Sequence, residues 1–250
     1  GCGGAFVGLL PRGKAARRRG LKKKTSEGEN MVRTLESARK GVAKGKARSA
    51  VIFLHGYGAD GADLLGLADP MARHLPDTAF HAPNAPESCV NNPFGYQWFP
   101  IPWLDGSSQE DAEKGMQAAV SDLNAYIDQV LAEEGLEPEA LALVGFSQGT
   151  MMSLHVAPRR ARPLAAVVGF SGRLLQPEAL ADETISRFPV LLIHGDADEM
   201  VPIAALSEAG DALVAAGFET YAHVSKGMAH GIAQDGLSLA LSFLHERLPK

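Results

Sequence analysis

Ser147 stands in the run GFSQG (residues 145–149), with a glycine two positions away on either side. A serine hydroxyl is a weak nucleophile until a base takes its proton, and that base must itself be oriented. The surroundings of this serine suit such chemistry. The apolar run LALVG (141–145) leads into it and the helix-compatible TMMSLHV (150–156) follows. Strand, tight turn and helix in that order make the elbow that lifts a serine hydroxyl above a sheet, and the two glycines give strand and helix room to approach. At the start of that helix the backbone N–H of Gln148 can donate to a developing oxyanion. The G-x-S-x-G pattern alone is weakly specific, since an ordinary strand-to-helix turn would look the same.

A nucleophilic serine needs a histidine and an acid, in α/β-hydrolases in the chain order Ser…Asp/Glu…His. Of the eight histidines, His74, His81, His155, His194, His223 and His245 sit in unremarked strand and helix contexts, and His55 shapes the loop after the first strand. His230 differs, lying in the Gly-punctuated KGMAHGI (226–232) between a strand and a helix candidate. The acid should come from a strand's C-terminal end between them, and HGDADEMVP (194–202) supplies Asp196 and Asp198 there. Asp196 could serve merely to form its own turn. Asp198, two residues deeper in the loop, is the better orienter. Together, Ser147, Asp198 and His230 are the candidate catalytic set.

One glycine-rich loop allows two chemistries. HGYGADG places Gly56, Gly58 and Gly61 as G-x-G-x-x-G between a strand and a helix, the setting of a dinucleotide site. That site also needs an acid about twenty residues on, ending the second strand. Asp77 has the separation but precedes the strand TAFHA instead. An oxyanion loop, with the N–H of Tyr57 pointing into a cleft, accounts for the run better. A plain structural turn would too.

The elements that must position these residues alternate along the chain. Strand candidates fall at 51–55, 78–82, 141–145, 165–170, 190–194 and 220–224, several of them apolar without alternation, as when helices cover both faces of a sheet. In 110–134, Met116, Val120, Leu123, Ile127, Val130 and Leu131 recur at steps of three and four and make one helical stripe. Residues 203–216, ending at Gly217, and 234–248 read as further helices. Strand and helix in alternation predict an α/β fold, an open and mostly parallel sheet with helices on both faces. An eight-stranded barrel fits the length, but the motifs favour the open sheet.

Charge is unevenly spread along the 250 residues. Residues 1–50 hold 14 Lys+Arg against 3 Asp+Glu, leaving 10 against 26 for the rest. The acidic body argues against nucleic acid as its partner. The basic stretch PRGKAARRRGLKKKT (11–25) lacks the apolar region of a signal peptide and reads as a solvated tail. Residues 1–30 are therefore expected to be a flexible N-terminal extension, and 31–250 one domain. No run approaches eighteen apolar residues, so no membrane span is expected, and two cysteines, Cys2 and Cys89, suggest a reduced cytoplasmic setting.

Four motifs taken together carry a family resemblance. FLHGYGADG (53–61), GFSQG, HGDADEMVP and GMAHG (227–231) resemble the phospholipase/carboxylesterase family, which includes the acyl-protein thioesterases, over nearly the whole body. The resemblance implies a compact α/β-hydrolase fold with no large lid domain, hydrolysing carboxylic esters or thioesters without a cofactor or metal. It implies Ser147 as nucleophile, Asp198 as acid and His230 as base, with the N–H groups of Tyr57 and Gln148 as oxyanion hole. PESCVNNPFGYQWFPIPW (86–103) resembles the family's active-site loop, so Trp98 and Phe99 are expected to line the substrate pocket, or else to anchor the loop to the core. Met200 is placed with them as substrate-binding. Small carboxylic esters, lysophospholipids and acyl-protein thioesters all fit such a site. A binding protein on the same fold is the alternative from another class, although all three candidate catalytic residues are present.

Overall fold

The strands that carry the candidate residues share one sheet, and all but the edge strand at its C-terminal end are apolar on both faces. In β2 (Ser49–Leu54), which follows the short edge strand β1 (Ser37–Gly41), every residue is buried. Successive side chains point to opposite faces. Ile52 and Leu54 enter one apolar cluster while Val51 and Phe53 enter the other. A computed structural model describes residues 31–250 of the chain, so the expectation for residues 1–30 lies outside the described residues.

After β2 come two short helices, α1 (Gly61–Leu65) and α2 (Ala68–Ala72), and then β3 (Thr78–Pro83). A small hairpin of β4 (Glu87–Ser88) and β5 (Tyr96–Gln97) and the single-turn α3 (Pro102–Asp105) lead to the long helix α4 (Gln109–Glu134). The remainder alternates: β6 (Leu141–Phe146), α5 (Gln148–Val156), β7 (Ala166–Phe170), α6 (Leu180–Glu183), β8 (Val190–Gly195), α7 (Ala204–Ala215), β9 (Thr220–Ser225) and α8 (Gln234–Arg247). The main sheet has seven strands in the order β1-β3-β2-β6-β7-β8-β9. All neighbours pair in parallel except β1, which runs antiparallel to β3 with Ser37 opposite Pro83 and Gly41 opposite Ala79. The sheet is open, with edges at β1 and β9.

Helices α4, α5 and α7 cover one face, and α1, α2 and α8 the other. Helix α4 starts where the Ser108 hydroxyl accepts the N–H of Asp111 and ends at Gly135, whose φ of 67° stops it. Its last residue, Glu134, is buried and paired. Arg39 of β1 donates to it from Nε (2.6 Å) and Nη2 (3.0 Å), and His81 of β3 from Nε2 (2.8 Å). That carboxylate ties the far end of the sheet to α4. No helix among the described residues is long and apolar enough to cross a membrane.

Parallel pairing places the C-terminal ends of β2, β6, β7, β8 and β9 along one edge of the sheet. Ligand sites of open α/β sheets lie in that position, and every loop singled out in the sequence emerges there.

Candidate active site

Ser147 follows β6 with φ 54° and ψ −114°, a backbone state that non-glycine residues rarely hold, and α5 begins at the next residue. Its N–H donates to the carbonyl of Phe170 (2.8 Å) and its own carbonyl accepts the N–H of Met151 (3.1 Å). The flanking glycines are a matter of clearance. A Cβ at Gly145 would meet the backbone of Thr150 at 2.5 Å, and one at Gly149 would overlap the Leu54 carbonyl at 1.8 Å. No larger residue lets β2, β6 and α5 meet so closely.

The structure brings Ser147, His230 and Asp198 into one chain of hydrogen bonds. His230 Nε2 lies 3.0 Å from Ser147 Oγ, and His230 Nδ1 lies 2.8 Å from Asp198 Oδ2. Phe146 packs against the imidazole with ring centroids 4.9 Å apart. The other oxygen of Asp198, Oδ1, accepts the N–H groups of Met200 and Val201, each at 2.9 Å. Burial opposes ionisation of this carboxyl. The Val201 N–H, the His230 ring and the Met200 N–H outweigh it and hold the group below the usual carboxylate range. His194 stands behind, donating from Nε2 to the Val201 carbonyl (2.8 Å) and lying 3.5 Å from Asp198 Oδ2.

Asp196 is placed differently. Its Oδ1 accepts the N–H of Gly227 (2.6 Å), which fastens the loop after β8 to the loop that carries His230. The Ala197 N–H reinforces this by donating to Met228 (3.0 Å).

The loop after β2 lies against the serine. A Cβ on Gly56 would come within 3.3 Å of Ser147 Cβ. His55, fully buried, bonds the Gly56 carbonyl through Nδ1 (2.7 Å) and accepts the Ala85 N–H at Nε2 (2.9 Å). An Nε2 that accepts leaves the proton on Nδ1, so the ring is neutral, and burial lowers its pKa in the same sense. Tyr57 follows directly on Gly56 in this loop. Its phenol donates to Asp105 (3.3 Å), and burial, then Cys89 and Asp105, hold its pKa above the ordinary value. The G-x-G-x-x-G sequence ends at a helix start that is already occupied. Asp60 caps α1 in a reciprocal pair with Asp63, and Asn84 Oδ1 takes the Gly61 N–H. Two carboxylates stand where a dinucleotide would need bare N–H groups for its diphosphate.

Trp98 corrects an expectation. It does not line a pocket: its side chain is fully buried, and Nε1 donates to the His55 carbonyl (3.0 Å). The backbone on either side is clamped by the Gln148 side chain, whose Oε1 accepts the Trp98 N–H (2.8 Å) while Nε2 donates to the Phe99 carbonyl (2.8 Å). An indole N–H needs a partner when buried, and here the partner is the oxyanion-loop candidate.

Phe99 and Met200 do face a groove, of about 370 Å³, together with Trp103, Met116, Met151 and Val201. None of the three catalytic candidates lines it, but three wall residues are hydrogen-bonded to Ser147 or Asp198. Met151 lies one turn beyond Ser147 in α5, and Met200 and Val201 hold Asp198. Trp103, 73% exposed at the rim, and Arg173 belong to this groove without having been singled out in the sequence. Trp103 lies in the same PFGYQWFPIPW run as Trp98, and that aromatic-rich stretch was the available signal. A larger groove of about 520 Å³ runs between α7 and β9, but neither the catalytic candidates nor any residue hydrogen-bonded to them lines it. Among the described residues no group of three His, Cys, Asp or Glu could hold a metal ion.

The sequence model of the family described as Phospholipase/Carboxylesterase matches residues 40–248. Acyl-protein thioesterase 1 of Kluyveromyces lactis is 29% identical over 220 residues, 81% of this chain and 93% of the relative. That of Gibberella zeae is 28% identical over 216 residues, covering 80% and 91%. Among solved structures, esterase PE8 superposes with a TM-score of 0.81 at 43% identity, over 86% of this chain and all of that one. SOBER1 of Arabidopsis thaliana gives 0.69 at 25% identity, over 81% of this chain and all of that one.

Proposed function

Because the chain belongs to the phospholipase/carboxylesterase family of α/β-hydrolases, we propose that it is a serine carboxylesterase that cleaves short- to medium-chain carboxylic esters through an acyl-enzyme. The observation that carries this reading is the unbroken run of hydrogen bonds from Ser147 Oγ through His230 to Asp198. In the first step His230 Nε2 takes the hydroxyl proton as Ser147 Oγ attacks the ester carbonyl. Asp198, ionised and held by two backbone N–H groups, fixes the imidazole and stabilises the imidazolium. The N–H groups of Tyr57 and Gln148 receive the oxyanion, and donors of this kind are worth about 3–4 kcal/mol each. His230 then passes its proton to the departing alcohol, and water repeats the sequence on the acyl-serine. A groove of about 370 Å³ is at the small end of ligand sites, which run from about 300 to 1,000 Å³. That size suits short or medium acyl chains.

The curated relatives favour a second reading, hydrolysis of acyl thioesters, since both bear the name acyl-protein thioesterase. The same residues would act on either. Comparing oxygen and sulfur esters of one acyl chain decides between them.

The test of the mechanism is Ser147→Ala. The parent protein is expected to cleave p-nitrophenyl butyrate and to take up a fluorophosphonate label. The variant should lose the label and lose turnover by roughly 10⁴- to 10⁶-fold. Near-normal turnover in the variant removes Ser147 as nucleophile.

A further inference from the structure

Backbone strain in residues 31–250 is confined to two places. Among the described residues only three non-glycine residues have positive φ: Ser147 itself, Ser171 (47°) and Gln176 (50°). The second and third bracket the loop after β7. Strain of this kind costs about 1–3 kcal/mol per residue and persists where the surrounding structure over-determines it, commonly at functional sites. Ser171 is costly in a second way. It is buried, and its hydroxyl has no hydrogen-bond partner. Next to it, a Cβ on Gly172 would collide with Thr150 Cβ at 2.4 Å and sit 2.9 Å from the Ser147 carbonyl. The start of the loop is therefore pressed closely onto the nucleophile elbow.

Between the two strained residues this loop carries Arg173, which lines the apolar groove beside Leu175 and Gln176. Most arginines in the described residues are already engaged. Arg33, Arg39, Arg159, Arg160, Arg162 and Arg247 pair with carboxylates, and Arg187 donates to the Ala216 carbonyl. Arg173 has no carboxylate within 4 Å and no hydrogen bond among the described residues. The guanidinium groups of Arg48 and Arg73 are likewise without a partner among the described residues, but these residues flank the N-terminal ends of β2 and β3, at the opposite edge of the sheet. Among the described residues, Arg173 is alone in having an unpaired guanidinium at the catalytic edge. Glu113 also lines the groove, accepting from Gln109 Nε2 (3.2 Å).

We propose that Arg173 makes this site selective for esters whose apolar acyl chain ends in a carboxylate, that is, half-esters of dicarboxylic acids. This rests on the serine esterase reading above and names its substrate class. The apolar walls take the methylene chain, and the planar guanidinium meets the terminal carboxylate with two parallel N–H donors. One cation with Glu113 nearby suits a single negative charge better than a phosphate dianion. Residues 31–250 carry a net negative charge, which disfavours an anionic substrate and makes a local cation the means of holding one.

The experiment compares kcat/KM for the mono-p-nitrophenyl ester of suberic acid with that for neutral p-nitrophenyl octanoate, at low salt, in the full chain. The anionic-to-neutral ratio is expected to fall about fivefold in Arg173→Gln, the scale of one partly exposed ion pair. Arg173→Lys should keep part of the preference, and Arg173→Glu should fall below Arg173→Gln. Raising NaCl from 0.05 to 0.5 M should lower the ratio in the parent protein and leave it unmoved in Arg173→Gln. An equal ratio across the parent and all three variants overturns the proposal, and so does a parallel loss of both substrates that leaves the ratio unchanged. Failure of the parent protein to cleave the neutral ester is a different result, and it overturns the esterase reading itself.

Discussion

The two oxygens of Asp198 have different partners, and this separates it from Asp196. Oδ2 faces His230, while Oδ1 is fixed by the Met200 and Val201 N–H groups. Replacing the carboxylate by an amide lets the nitrogen face the imidazole, which favours the wrong tautomer. Asp198→Asn is therefore expected to lower kcat/KM on p-nitrophenyl butyrate by about 10³- to 10⁴-fold with the fold intact by circular dichroism. Asp196→Asn keeps an oxygen that can accept the Gly227 N–H, and its rate should stay within a few-fold of the parent. The reverse ranking would transfer the orienting role to Asp196. At this scale the sequence is informative where chain order and local motif coincide, as for Ser147, Asp198 and His230. It is silent on Arg173 and Trp103, because a groove is built from separated segments whose meeting depends on the whole topology. It misleads on Trp98, since an aromatic beside a site reads the same whether its ring faces the ligand or the core.

The elements that hold the site are tied by a few buried hydrogen bonds. Trp98 links the loop after β5 to the end of β2 through the His55 carbonyl, and Gln148 links the same loop to α5. Both candidate oxyanion donors thus hang on one frame. Trp98→Phe keeps most of the apolar volume but leaves the His55 carbonyl without its donor, at a cost of about 1–3 kcal/mol. For a body of this size the expected fall in Tm is roughly 3–10 °C. The rate should fall as well, because the Tyr57 backbone loses its anchor; an unchanged Tm would show that the indole N–H holds nothing. The six strands read from apolar runs all occur, since both faces of each are packed or, at β9, aligned on a packed neighbour. β1 escaped notice for a physical reason. SARKG is polar and mostly exposed, and its strand state comes from pairing with β3, more than thirty residues away. The short α1, α2, α3 and α6 are single turns fixed by caps and context, with too few residues to show a period.

For the whole molecule, acid acts through groups buried as neutral species. Residues 31–250 hold 16 Lys+Arg against 27 Asp+Glu, so protonating carboxylates first reduces net charge and its self-repulsion. The buried histidines oppose that gain. Burial lowers the pKa of His155 to about 4, aided by Arg159, and its Nδ1 has no partner. Burial lowers His55 and His81 in the same direction. The unfolded chain protonates these rings near the ordinary value of about 6.5, while the folded chain does not until lower pH. The unfolded state then binds more protons, and stability rises with pH across that interval. The contribution is complete above pH 6.5 and is lost as pH falls toward 4. Glu134 adds to the slope further down, because its hydrogen bond from Arg39 holds its pKa below the usual range. We therefore expect Tm to fall steadily from pH 7 to pH 5. His155→Leu, which removes the buried ionisable group and its orphaned nitrogen, should flatten that slope by an amount on the order of 1–3 kcal/mol over the interval. A parent protein with level Tm from pH 7 to 5, or a variant with the parent's slope, would mean that His155 reaches water in the folded state.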